Sequence, residues 1–300
     1  MSIWLPYINR FRAYLNLEKG LSDNSVGSYL QDVSHLQRYA EGLELDPEAV
    51  SFEHLQHLLA QLSDLGIAAT TQCRMISGWR TFYNMLVLDG DIQLNPAKEL
   101  TMPIRPQHLP DVLTNDEIAA IQSTFDRSMP DQDRNYLIVE ILYGCGLRVS
   151  ELVNMTLSCI YDAEECLLIT GKGDKQRWVP INSRALRLLL DYIAQTRSCV
   201  QPKPDNERYV FLNRYGTRLS RNYVFMFLQK AVQEAGIQKH VSPHSLRHSF
   251  ATELVQNGAD LRAVQEMLGH AKLTTTEIYT HLGAQYLRDT ITNYHPHYRL

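Results

Sequence analysis

Between residues 243 and 281 the chain reads PHSLRHSFATELVQNGADLRAVQEMLGHAKLTTTEIYTH, which carries His244, Arg247, His270 and Tyr279. Upstream stand Arg148, in GLRVSEL, and Lys172, in TGKGDKQRWVP. Brought together, these six would supply fixed forks of donors for phosphate oxygens. They would also supply histidine and lysine to move protons, and a phenol to act as nucleophile. That is the equipment for in-line attack on a phosphodiester. They form no Ser-His-Asp triad and no obvious metal set.

Each residue also has a plainer reading. His244 and Arg247 share a helical face at i, i+3 spacing, and Pro243 suits a first-turn position. A capped helix with satisfied polar groups would look the same. His248 offers a zinc-binding pair with His244, but HSLRH lacks the glutamate of HExxH and sets Arg247 between the histidines. Glu151, three residues after Arg148, could hold its fork, or the two could be a surface ion pair. Lys172 could be an exposed turn lysine, and Tyr279 a packing residue. Arg148 follows a glycine break, His270 falls near a helix end, and three threonines ahead of Tyr279 read as a capped helix start.

The elements that must position these residues are mostly helices. Residues 3–17, a helix capped by Ser22 and running to Ala40, residues 52–65 and residues 69–88 read as four helices, a small bundle. The fourth has a stripe of Met75, Trp79, Phe82, Tyr83 and Leu86, with Gly90 and Pro96 as stop signals. The proline-rich stretch around residues 102–112 reads as an extended linker. This divides the chain into domains at 1–101 and 113–300. Thr114 with Glu117 is a capping box, and residues 136–143 are helical. Residues 166–170 and 177–181 form a hairpin around GKGDKQ. Residues 183–196 are helical, and 209–212 are short enough for a strand. From Ser220 onward, helices are separated at Gly236, Gly258 and Gly269. The predicted fold class is mostly α: an N-terminal four-helix domain, then a mainly helical domain with a small antiparallel sheet.

Composition sets limits. The chain has 300 residues, 44% hydrophobic, enough for real cores. No apolar run is long enough to span a membrane, and no secretory signal is evident. Five widely spaced cysteines without a CxxC point to reduced thiols and a cytoplasmic protein. The net charge of −4 is unusual for a nucleic-acid binder. Up to Gln107 there are 8 basic and 12 acidic residues, and the remainder is balanced. Local clusters, at 171–177 and 208–221, would have to carry DNA affinity; either could equally be a solvated face.

Taken in order, the motifs GLRVSEL, TGKGDKQRWVP, HSLRHSFAT and LGHAKLTTTEIYTH resemble those of the tyrosine recombinase (phage integrase) family. LSDNSVGSYLQDV and ISGWRTFYNML are similar to its helical core-binding domain. The resemblance covers nearly the whole chain. Length and the tail YLRDTITNYHPHYRL look most like the Xer-type recombinases that resolve chromosome dimers at cell division.

The resemblance implies that Tyr279 attacks a scissile phosphodiester, forms a 3′-phosphotyrosyl bond and releases a 5′-hydroxyl. Arg148 and Arg247 would clamp the nonbridging oxygens. Lys172 would protonate the leaving oxygen. His244 and His270 would share proton transfer and phosphate holding, with roles that could be exchanged, and Glu151 would support Arg148. The covalent ester keeps the energy of the broken linkage, so no cofactor, metal or ATP is expected. A C-shaped clamp on double-stranded DNA is implied, with a tetramer on two sites. So are a second paired recombinase, control by a septal DNA translocase, and a nucleoid-associated location without a membrane. Candidate DNA contacts are Asn24, Thr71, Gln72, Arg74, Lys175, Arg177, Arg221 and Asn222. The last helix, around 286–293, could dock on a neighbour or pack on its own domain. Alternatives are a mobile-element integrase, type IB topoisomerase-like relaxation, or a DNA-binding regulator with a decayed site. The last sits poorly with six suitably filled catalytic positions.

Overall fold

The computed structural model describes residues 2–104, 111–269 and 281–298, and the chain divides into two compact units, Met1–His108 and Leu109–Leu300. The side chains of Lys172 and of residues 281–286 lie outside the described set.

Among its described residues, the first unit holds four α-helices. They are α1 (Trp4–Ala13, continued by a π turn over Tyr14–Glu18), α2 (Asp23–Gly42), α3 (Phe52–Asp64) and α4 (Ala69–Asp89). Ser22 occupies the N-cap of α2 in extended conformation, but its hydroxyl lies 3.1 Å from the Ser25 hydroxyl and caps no backbone N–H. The predicted aromatic stripe of α4 is the centre of the core. Phe82 stacks on Trp4 with ring centroids 5.9 Å apart and meets Phe11 edge-on at 5.3 Å. α2 and α4 approach closely because Gly78 carries no side chain. A Cβ there would stand 2.8 Å from the Asp32 Cβ. The Trp79 indole donates to the Asp32 carbonyl at 2.9 Å across the same contact.

The second unit is built around α6 (Pro130–Gly144), buried continuously from Arg134 to Gly144. A helix buried on all sides belongs in the middle of a domain, and its buried Arg134 and Glu140 find partners there: Arg134 Nη1 donates to the Leu212 carbonyl at 2.9 Å, and Glu140 Oε2 accepts from the Gln122 amide at 2.7 Å. Ahead of it lies α5 (Asn115–Ser123), opened by the predicted box: Thr114 Oγ1 accepts from the Glu117 N–H, and Glu117 Oε2 from the Thr114 N–H. After it comes α7 (Val149–Val153), which the sequence pattern did not announce. A three-stranded antiparallel sheet follows, ordered β1 (Ile160–Tyr161), β2 (Cys166–Thr170) and β3 (Gln176–Pro180), with Ile169 opposite Arg177. The hairpin turn needs left-handed backbone at Gly173 (φ 74°) and Asp174 (φ 55°). The remaining helices are α8 (Ser183–Asp191, extended by a π turn to Thr196), α9 (Arg221–Glu234), α10 (Pro243–Gln256), α11 (Leu261–Leu268) and α12 (His281–Tyr294). The breaks at Gly236, Gly258 and Gly269 fall as expected.

One expected strand is absent. Tyr209 and Leu212 make only isolated bridges, to Thr156 and Arg218, because the loop turns back on itself through Asn213 and Gly216. At the C-terminus, the chain after α12 packs onto α6. The His295 ring is fully buried 5.0 Å from Tyr143 and 5.2 Å from Phe250. His297 Nδ1 lies 3.1 Å from buried Glu140, and the Tyr298 hydroxyl donates to the Pro180 carbonyl at 3.0 Å. Leu287 and Ile291 of α12 are buried in the core of their own unit. Among the described residues, no helix is long and apolar enough to cross a membrane. All five cysteines are unpaired.

Candidate active site

Arg148 is the N-cap of α7, so its backbone is extended and its side chain leaves the helix start. Glu151, one turn on, answers it twice. Its Oε2 accepts from the Arg148 N–H at 2.8 Å, and its Oε1 from Arg148 Nη1 at 2.8 Å. The pair expected from i, i+3 spacing is therefore present. It is no surface pair, because the Glu151 side chain is 3% exposed against 39% for Arg148.

Arg247 lies on the inner face of α10, with its side chain 6% exposed. Its Nη1 donates to the Gly146 carbonyl at 2.7 Å and lies 3.8 Å from Glu151 Oε2; its Nη2 donates to the Leu268 carbonyl. The Gly146 carbonyl can reach it because Gly146 takes φ 59°, and Phe250 packs where a Cβ would stand. Burial pulls the Arg247 guanidinium down to about 10, and the neighbouring charge of Arg148 acts in the same direction. It remains a cation at neutral pH. Each Nη keeps a second N–H beyond the one given to a carbonyl.

A third arginine completes the cluster. Arg177 leaves β3 on the same side as Val179 and is buried. It grips Glu151 with both Nη atoms, at 2.9 and 2.8 Å, and gives Nε to the Met267 carbonyl at 2.8 Å. Burial alone would raise the Glu151 carboxyl. The hydrogen bonds and charge of Arg177, then Arg148, overcome that and hold it below its ordinary value.

Among the described residues, three guanidinium groups against one carboxylate leave two positive charges uncompensated at one place. The same three arginines close the end of α11. Met267, Leu268 and Gly269 present successive carbonyls, which accept from Arg177, Arg247 and Arg148 respectively. The last four carbonyls of a helix have no partner within it, and the helix dipole is negative there. Gly269, at φ 64°, stops the helix.

Other predicted residues are placed as follows. His244 is exposed on the first turn of α10, after Pro243 and the N-cap Ser242. Lys172 opens the hairpin turn, described by its backbone alone. His270 and Tyr279 lie outside the described residues. Among the described residues, no group of three His, Cys, Asp or Glu side chains could hold a metal ion.

The DNA-contact candidates divide. Asn24 and Arg74 line one groove of about 480 Å3 with Ser25, Ser28, Tyr29 and Ser77. Arg74 also pairs with Asp32 at 2.6 Å. Thr71 is half-buried. Gln72 does not face outward as expected: it is buried, and its amide donates to the Ile67 carbonyl at 2.7 Å, tying down the loop before α4. Lys175, Arg221 and Asn222 are exposed. Arg177 is not a surface contact, because it is buried, with Nε and both Nη atoms directed at partners inside the arginine cluster. Its inward direction follows from β alternation, with exposed Gln176 before it and buried Val179 two residues on. A set of arginine–tyrosine stacks escaped the sequence reading. Arg208 and Arg218 both lie over Tyr209, at 5.0 and 5.1 Å, and Arg214 lies over Tyr215 at 4.8 Å. The adjacent pairs RY in the sequence were the available signal.

The model of the phage integrase family matches residues 111–285, and that of the phage integrase N-terminal SAM-like domain matches residues 8–90. The chain belongs to the phage integrase family. It is similar to proteins named tyrosine recombinase XerD. The one from Listeria monocytogenes is 37% identical over 293 residues, covering 96% of this chain and 98% of that one. The one from Lacticaseibacillus casei is 38% identical over 286 residues, covering 95% and 97%. The fold is also that of the Tn1549 transposon integrase in complex with circular intermediate DNA, with TM-score 0.73 at 18% identity over 95% of this chain and 98% of that one. XerH recombinase bound to a palindromic difH substrate gives TM-score 0.72 at 23% identity, over 95% and 94%.

Proposed function

We propose that this chain is a site-specific DNA recombinase that cuts and rejoins strands through a 3′-phosphotyrosyl intermediate, and that it acts in resolving chromosome dimers at cell division. The observation that carries this reading is the arginine cluster. Arg148 and Arg247 share Glu151 at the end of α11, one residue before the stretch that runs from His270 to Tyr279. Two uncompensated positive charges suit a phosphodiester whose charge grows as a fifth oxygen approaches.

In this mechanism Tyr279 is the nucleophile. A free phenol has a pKa of about 10, so neighbouring cations and a histidine must help remove its proton. His244, exposed on the first turn of α10, serves that transfer, and His270 holds a phosphate oxygen. Arg148 and Arg247 orient the nonbridging oxygens. Lys172 delivers a proton to the departing 5′-oxygen. The new phosphotyrosyl ester forms as the P–O5′ bond breaks, so the number of phosphoester bonds is unchanged and reversal needs no ATP and no metal. Duplex DNA is the partner, gripped through Asn24 and Arg74 in the first unit and through Lys175, Arg221 and Asn222 in the second. The working assembly is a tetramer on two sites. It includes a second paired recombinase and is under the control of a septal DNA translocase, in the cytoplasm on the nucleoid. The XerD names of its relatives support the chromosomal role.

A duplex nicked close to the cleavage point traps the covalent intermediate, because the short fragment diffuses away. Wild-type protein is expected to give a denaturation-resistant protein–DNA adduct, and Tyr279→Phe none. An adduct that persists in the phenylalanine variant removes Tyr279 from the role of nucleophile. Lys172→Ala is expected to cleave slowly, and a 5′-thiolate leaving group to restore its rate. Failure of that rescue counts against the acid role of Lys172.

A further inference from the structure

We propose that Arg177 is a positioning residue of the phosphate site: it fixes the direction of the Arg148 fork through Glu151 and ties strand β3 to the end of α11. The proposal rests on the reading of Arg148 and Arg247 as the phosphate clamp.

Three observations carry it. First, Arg177 is buried, where a guanidinium is tolerated only if its donors are matched. They are matched on three sides, by Glu151 Oε1, Glu151 Oε2 and the Met267 carbonyl. Second, both Glu151 oxygens are shared between the two arginines. Oε1 takes Nη1 of Arg148 and Nη1 of Arg177; Oε2 takes the Arg148 N–H and Nη2 of Arg177. The bidentate grip stops the carboxylate from rotating, and the carboxylate in turn sets where Arg148 points. Released from Arg177, Glu151 could turn toward Arg247, whose Nη1 already lies 3.8 Å from Oε2. Third, the path of the side chain is cleared by a glycine: a Cβ on Gly269 would stand 3.2 Å from Arg177 Cδ and 3.3 Å from both Nε and Nη1. Gly171 and Arg177 flank the turn that carries Lys172, and Gly269 ends the helix before His270. One side chain thus joins the hairpin, the clamp and the helix end. Lysine can offer the charge at this place but not the planar fork with a third donor.

The test separates positioning from binding and from folding. Single-turnover adduct formation on the nicked duplex is measured at saturating protein, with DNA affinity by fluorescence anisotropy and stability by urea denaturation. Arg177→Gln is expected to lower the cleavage rate constant about 100-fold, as misplacement by about an ångström does. Arg177→Lys should recover part of that, leaving a loss of about 10-fold. DNA affinity should stay within about threefold in both, because the Arg177 side chain is buried and each of its three nitrogens is already directed at Glu151 or the Met267 carbonyl. Wild-type cleavage in the glutamine variant overturns the proposal, and so does a loss of affinity as large as the loss of rate. If the glutamine variant shows no cooperative unfolding, the lysine variant decides: slow cleavage with intact affinity supports positioning, and wild-type cleavage overturns it. Loss of fold in both assigns Arg177 to stability alone and also overturns it. Failure of the wild-type protein to form any adduct is a different result, which removes the Tyr279 mechanism.

Discussion

Glu151 faces three guanidinium groups, so its charge keeps the clamp from repelling itself apart. Replacing it by glutamine keeps the shape and removes the charge. Breaking a buried pair in this way typically costs about 3–5 kcal/mol. Glu151→Gln is therefore expected to lower the urea midpoint clearly at pH 7 and to slow adduct formation more than the stability loss explains. The sign of the pH dependence follows from the depressed carboxyl. The charged form contributes stability above the unfolded value of about 4.3, and that contribution is lost as pH falls below it. The difference between wild type and Glu151→Gln should accordingly close in denaturation series taken below about pH 4. A constant difference across that range would mean that the charge of Glu151 is not what stabilises the cluster.

At the scale of elements, the site depends on how α6 and α11 end and on the face that α10 turns toward them. Gly146 follows α6 in a left-handed conformation, with the Phe250 ring of α10 where a side chain would be. Gly146→Ala combines a backbone penalty of about 1–2 kcal/mol with an overpacking penalty of about 1–3 kcal/mol. Urea denaturation should show the sum. Adding Phe250→Leu should return the packing part and leave the backbone part; no recovery at all would place the strain elsewhere. Much of this architecture was legible beforehand. Aromatic periodicity announced α4, the Thr114–Glu117 box announced α5, and glycines marked the ends of α9, α10 and α11. The Arg148–Glu151 pair was legible from spacing. The acceptors at Met267, Leu268 and Gly269 were not, because a backbone carbonyl leaves no mark on residue identity. Arg177 was misread as surface charge because a basic cluster outweighed the alternation of a five-residue strand. Gln72 was misread because a helix start was taken as exposed, while the preceding loop needed its amide.

For the whole molecule, the C-terminal segment sets acid sensitivity. Burial pushes the His295 ring down to about 3, with His297 adding to the effect and Glu140 opposing it. Its Nδ1 accepts from the His297 N–H at 3.3 Å, and Nε2 has no hydrogen-bond partner among the described residues. The folded protein therefore keeps this ring neutral while the unfolded chain takes up a proton below about pH 6.5. Stability is full above that value and falls as pH drops toward 3, by at most about 1.4 kcal/mol per pH unit. Melting temperatures between pH 7 and pH 4.5 should show this slope in wild type and a shallower one in His295→Phe, whose ring suits the aromatic pocket. Equal slopes would assign the sensitivity to other groups. The arginine cluster has a further consequence during synthesis. Its side chains are drawn from positions 148, 177 and 247, but the carbonyls that hold them come at 267–269. Contacts this distant in sequence form late in folding. A nascent chain halted on the ribosome before Met267 carries all three arginines but lacks the acceptors that aim them, so the capacity to cut DNA arrives only after residues 267–269 have been made.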